Sequence, residues 1–161
     1  MQAVTDFTAY FTQTPGPVAA VTAEEKGLLG SAAMVKAIPR ESWRQYCAMV
    51  NLDSFGVSTP FSLAQTSSPE MVEIANNTAT QLNVKYANLT FAGADADSSS
   101  FKRNQIPAIT FSGLDNKWQD YLHSKNDKLE RINMTSVYLG YRFALTFINK
   151  LEMISCSKLR K

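Results

Sequence analysis

Three features of this chain could do chemistry together: an adjacent carboxylate pair, Glu24-Glu25; a third carboxylate, Asp53; and the only histidine of the sequence, His123. Carboxylate oxygens and a neutral imidazole are ligands that suit zinc. A carboxylate beside such a site can take a proton from an attacking water. Each piece also has a plainer reading. A lone histidine often sits hydrogen-bonded at a surface, and a Glu pair often marks a solvated face or a helix start, where the macrodipole favours acids. The chemical reading gains weight from Asn51-Leu-Asp53-Ser-Phe-Gly56, which stands between the pair and the histidine.

The elements that must position these residues alternate between helix and strand signals, the pattern of an α/β layered domain. Residues 3–13 have apolar residues at helical spacing, and Thr14-Pro-Gly-Pro17 stops them. Val18 to Thr22 reads as a short buried strand ending at the Glu pair. Gly27 to Ala37 reads as a helix closed before Pro39. Further strands are expected over 45–52, 61–64, 84–91 and 108–112. A helix is expected from Pro69 to about Leu82, and a short helical turn over Phe101 to Asn104. The clearest element is an amphipathic helix from Thr135 to about Ile154, with Val137, Tyr141, Ala144, Leu145, Ile148 and Leu151 on its apolar stripe.

Glu24-Glu25 and Asp53 therefore each follow an expected strand, and His123 lies in a loop after another. In open α/β sheets, ligands bind beyond the carboxyl ends of strands. Consecutive residues on a regular strand point to opposite faces, so Glu24 and Glu25 reach one site only if the chain turns there. Gly27 permits such a turn. One carboxylate would then bind metal while the other moves a proton.

A chain of 161 residues suffices for one domain with its own core and is short for two. With 45% hydrophobic and 19% charged residues, its composition is that of a soluble globular domain. No apolar run approaches the length of a membrane span. Met1 to Asp6 lacks the basic and apolar regions of a signal peptide, which suggests either a cytoplasmic protein or a missing start.

The net charge of +2 is unevenly spread: residues 1–100 carry 5 Lys/Arg against 9 Asp/Glu, and 101–161 carry 11 against 5. The basic residues are scattered without interleaved aromatics, so a solvated face is expected rather than a nucleic-acid surface. Cys47 and Cys156 belong to no CxxC pair. They could form one bridge, but Cys47 lies in an apolar run that favours a buried structural thiol. The sequons at Asn76, Asn88 and Asn133 are short enough to arise by chance. The main domain is expected over residues 1–155, with 156–161 a basic tail that frays over Ser157 to Lys161.

Four segments resemble, in order, motifs of the co-catalytic di-zinc exopeptidases, a family that includes bacterial leucyl-type zinc aminopeptidases, glutamate carboxypeptidase and glutaminyl cyclase. They are Thr22-Ala-Glu-Glu-Lys-Gly-Leu-Leu-Gly-Ser31, Asn51-Leu-Asp-Ser-Phe-Gly56, Ala96-Asp-Ser-Ser-Ser-Phe101 with Ile106-Pro-Ala-Ile-Thr110, and His123-Ser-Lys-Asn-Asp-Lys-Leu-Glu-Arg-Ile132. The resemblance covers roughly residues 18 to 150. It implies a three-layer α/β/α sandwich around a mixed, mostly parallel sheet, truncated at the N-terminus.

It further implies Glu24 as general base, Glu25 and His123 as ligands of one zinc, Asp53 as a ligand of the other, and Asp97 as a supporting residue that orders its loop. Where relatives often carry His after that aspartate, this chain has Ser98. The reaction implied is removal of N-terminal residues from peptides. The family also needs a His-x-Asp segment and a bridging aspartate upstream of the Glu pair. Upstream of Glu24 this chain has no histidine, and Asp6 is its only acid. At most a partial zinc site is therefore expected. The implied partners are a peptide substrate and the missing N-terminal part of the same domain, with neither nucleic acid nor membrane. Relatives are commonly exported. The alternative is a non-catalytic partner-binding module on the same fold.

Overall fold

The computed structural model describes residues 18–160, so the helix expected over 3–13 lies outside the described residues. At the centre is β4 (Ala108–Ser112), buried along its whole length. Its side chains alternate between faces, as the two-residue period of a strand requires. Ile109 and Phe111 enter one apolar cluster and Ala108 enters another.

β1 (Met49–Leu52) runs parallel to β4, with Met49 opposite Ala108 and Leu52 opposite Phe111. On the other side, β2 (Phe61–Leu63) pairs antiparallel with β4, and β3 (Asn88–Leu89) is parallel to β2. The sheet order is β1-β4-β2-β3, so β1 forms one edge.

Helices cover both faces. α2 (Pro69–Leu82) and α4 (Met134–Glu152) pack Met71, Ala75, Phe143 and Phe147 against Ile109 and Phe111. α1 (Leu29–Ala37) and α3 (Ser98–Lys102) bring Val35 and Phe101 around Ala108 on the other face. The result is the expected three-layer sandwich on a mixed sheet.

Local chemistry sets the helix ends. Pro69 supplies a preset φ at the first turn of α2, and Asn83 closes that helix in a left-handed conformation. α4 starts where the Asn133 side chain accepts the N–H groups of Thr135 and Ser136 at 2.9 and 3.3 Å. No helix among the described residues is long and apolar enough to cross a membrane.

Several expectations are corrected. Residues 18–22 are not a buried strand: they run irregularly and largely exposed, and no strand in the described sheet pairs with them. β1 begins at Met49 rather than 45, because Arg40–Gln45 forms a 3-10 turn. Only Asn88–Leu89 of the 84–91 stretch joins the ladder.

Cys47 is not a free thiol. It is bridged to Cys156, 109 residues away, with Cα atoms 4.7 Å apart, inside the range a disulfide needs. The tail is not frayed either. Residues Cys156–Leu159 form a short helix, α5, whose Leu159 is buried in the α2/α4 cluster. The buried stripe of α4 is rotated from the expected one: Gly140, Phe143, Ala144 and Phe147 face the core, whereas Tyr141 is 44% exposed. Gly140 allows this, since a side chain there would collide with the Phe55 ring.

Candidate active site

The Glu pair sits on a 3-10 turn, Glu24–Lys26, rather than at a strand end. The Gly27 and Leu28 N–H groups donate to the Glu24 carbonyl at 3.0 and 2.8 Å, closing the turn. Gly27 is left-handed with φ 94°, as the turn requires, and Ala23 and Leu28 are left-handed without glycine's freedom. Ser54, directly after Asp53, and His123 share this conformation. Among the described residues, three of the six non-glycine positions with positive φ (Ala23, Ser54 and His123) thus lie at or next to candidate site residues. Each costs about 1–2 kcal/mol relative to ordinary backbone, and such strain concentrates at functional sites.

The structure brings His123 and Glu25 into contact, with the His123 Nε2 2.7 Å from the Glu25 Oε1. Both side chains are about two-thirds exposed, so the pair adds little stability by itself. Glu24 and Asp53 share one electrostatic field with them. Glu24 is pushed up to about 7, first by burial and then by the negative charges of Glu25, Asp53 and Asp97, with His123 opposing. Asp53 is also raised, chiefly by burial. The Ser54 hydroxyl, which donates to its Oδ1 at 3.0 Å, opposes the shift, and Glu25 and Asp97 add to it. The Asp53 backbone is fixed by its N–H bond to the Phe111 carbonyl at 3.0 Å.

Asp97 is only 6% exposed, and its Oδ1 is buried without a hydrogen-bond partner. It precedes α3, which sits on a polar floor absent from the sequence expectations. Ser98 and Thr110 share a hydroxyl–hydroxyl bond at 2.5 Å, the Asn51 amide donates to Thr110 at 3.4 Å, and Ser31 and Ser100 bond at 2.9 Å. This floor ties α1, α3, β1 and β4 together, with Asn51 two residues before Asp53 and Ser98 directly after Asp97. The run Ser98-Ser-Ser100 before Phe101 is the signal that could have revealed it. Ser98 is a buried structural hydroxyl, bonded to Thr110 and to the Thr66 carbonyl.

The position of the Glu pair depends on Gly30. Its N–H donates to the Thr22 carbonyl at 3.0 Å, and a Cβ there would strike the Thr22 backbone, with the Thr22 nitrogen 2.7 Å away. Backbone cannot swing aside as a side-chain tip can. Gly30→Ala is expected to lower stability by about 1–3 kcal/mol, the usual cost of overpacking. It should also shift the amide NMR signals of Thr22 to Glu25. Unchanged urea denaturation and spectra would refute that dependence.

Zinc needs three protein ligands in an open catalytic site or four in a closed one. Glu25 and His123 supply two donors in contact. Among the described residues, however, no group of three His, Cys, Asp or Glu side chains is close enough to hold a metal ion. The described residues do not by themselves fit a complete zinc site. Two hollows, of about 330 and 500 Å³, lie along α2 and around residues 93–103, and neither is lined by Glu24, Glu25 or His123.

The lineage of this three-layer sandwich is resolved by comparison with known proteins. Residues 17–147 match the model of Peptidase family M28, and the chain belongs to that family. Among solved structures, it is similar to BSAP, a zinc aminopeptidase from Bacillus subtilis, at 21% identity and a TM-score of 0.72. That match covers 88% of this chain and 38% of BSAP. The Legionella pneumophila LapA aminopeptidase matches at 21% identity and a TM-score of 0.66, over 81% of this chain and 38% of its own. An aminopeptidase from Aneurinibacillus sp. strain AM-1 matches at 18% and 0.65, over 80% and 31%. At these identities the likeness shows the fold, and the chain spans well under half the length of these structures. No curated protein matches the sequence.

Proposed function

We propose that this chain carries the proton-transfer half of a zinc aminopeptidase-like hydrolase that removes N-terminal residues from peptides. The observation that carries the reading is Glu24, a carboxylate raised to about 7 by burial and, after that, by the charges of Glu25, Asp53 and Asp97. A general base works best when its pKa lies near the operating pH. Glu24 would take a proton from the attacking water and return it to the leaving amine. Burial first, and then the charges of the neighbouring carboxylates, keep the proton affinity of Glu24 high.

Zinc would supply carbonyl polarisation and a more acidic water. Glu25 and His123 would hold one ion and Asp53 would be a ligand to a second, with a polypeptide segment outside this chain completing the set. The Cys47–Cys156 bridge supports an oxidising compartment, where disulfides form and persist.

A second reading, a partner-binding module without catalysis, is favoured by the missing three-ligand group among the described residues. One experiment separates them. The full chain, loaded with zinc, is assayed on leucyl p-nitroanilide alone and after mixing with the N-terminal segment of a related enzyme. Zinc-dependent release of nitroaniline in either mixture supports the hydrolase. Saturable binding of that segment with no turnover supports the module.

A further inference from the structure

His123 stands in a stretch from Gly113 to Asn133 that has only short 3-10 turns, yet its backbone is held in a left-handed conformation at φ 58°. Histidine tolerates that region better than most residues but still needs surrounding structure to hold it there. The nearest anchor is Tyr121. It is 1% exposed and is the largest fully buried side chain among the described residues, although it lies in a polar loop. Its hydroxyl donates to Asp115 Oδ1 at 3.1 Å, at the start of the same loop. Its carbonyl accepts both the Ser124 N–H at 3.0 Å and the Ser124 hydroxyl at 2.7 Å, closing a turn with His123 inside it.

The far side of the ring is covered from downstream. The Arg131 guanidinium lies 4.5 Å from the Tyr121 ring centroid, and its Nε donates to the Asn126 carbonyl at 2.9 Å. The Asn126 side chain in turn donates to the Asp120 carbonyl at 3.3 Å. Asp115 on the hydroxyl and Arg131 on the ring face thus fix the Tyr121 side chain, while Ser124 fixes its backbone carbonyl, two residues from His123.

We infer that Tyr121 is the positioning residue for His123, holding the imidazole against Glu25 through the Asp115–Tyr121–Arg131 clamp. The inference rests on the reading of His123 as a site residue. It makes Tyr121 a determinant of the site without contact to any reacting atom.

The test uses the full chain with isotope-labelled histidine, free of metal. It follows the nuclear Overhauser contact between the His123 ring and the Glu25 side chain. Tyr121→Phe gives up the Asp115 bond but keeps the buried ring and the Arg131 stacking, and is expected to retain the contact. Tyr121→Ala is expected to lose it while the Phe111 and Phe147 core signals stay in place. Should Tyr121→Ala fail to fold, Arg131→Ala, an exposed position, decides, and a weakened contact is expected there too. An unchanged contact in folded Tyr121→Ala, or in Arg131→Ala, would overturn the inference. A wild-type chain that hydrolyses nothing would count against the proposed function and leave this result standing.

Discussion

Replacing both Cys47 and Cys156 with serine is expected to destabilise the fold by about 4–5 kcal/mol, the chain-entropy value for a closed loop of roughly a hundred residues. The bridge spans 109 residues of sequence, so it restricts most of the unfolded chain. Set against a total stability of about 5–15 kcal/mol for a typical domain, this is a large share. Part of the loss would come from α5. Four residues cannot sustain a helix alone. α5 is kept by the bridge, by buried Leu159, and by Arg160, whose Nη2 donates to the Trp43 and Tyr46 carbonyls at 2.6 Å each. Urea denaturation of the oxidised wild type, the reduced wild type and the double variant measures it. Coincident midpoints for the three would contradict the expectation.

The second large effect concerns Glu24. Glu24→Gln keeps the side chain's shape but cannot accept a proton, so kcat in any preparation that hydrolyses peptides should fall about 10²- to 10⁴-fold. KM should move little, because the lost interaction belongs to the transition state.

The same substitution has a signature without metal. The folded chain holds the Glu24 proton up to about 7, against an ordinary 4.5. A raised carboxyl pKa means the native state binds the proton more tightly than the unfolded chain does. That contribution is complete below about 4.5 and is lost as pH rises through about 7. The wild type should therefore lose stability relative to Glu24→Gln across that window. Denaturation of both proteins at several pH values gives the comparison. Parallel curves would show that Glu24 is not held as the structure indicates.

Much of the layer structure is legible in the sequence. β4 and α2 stand at the residues expected, since a bounded apolar run and a Pro69 start are local signals. Other features depend on partners far along the chain. Residues 18–22 have strand-like composition, yet a strand needs a neighbour, and none of the described strands lies beside them. The rotated stripe of α4 follows from the Gly140–Phe55 approach, which spacing does not show. Cysteine pairing is equally a property of the folded path.

At the site, the order of Glu24, Glu25, Asp53 and His123 is legible as a set of motifs, and the Glu25–His123 contact follows from folding. The serine floor and Tyr121 escape the sequence because their side chains act only through tertiary contacts. A tyrosine in a polar loop reads as exposed until its hydroxyl and ring find Asp115 and Arg131.

The disulfide has a topological consequence as well. Joining Cys47 to Cys156 closes a covalent ring that contains all four strands, Asp53, Asp97 and His123, and leaves Glu24 and Glu25 on an arm outside it. A single peptide-bond cut within the ring releases nothing, because the two ends stay linked through sulfur. A cut on the arm at exposed Arg40 or Arg44 parts the Glu24–Glu25 segment covalently from Asp53, Asp97 and His123. The ring preserves the scaffold, and a nick on the arm between Glu25 and Cys47 divides the proposed site covalently.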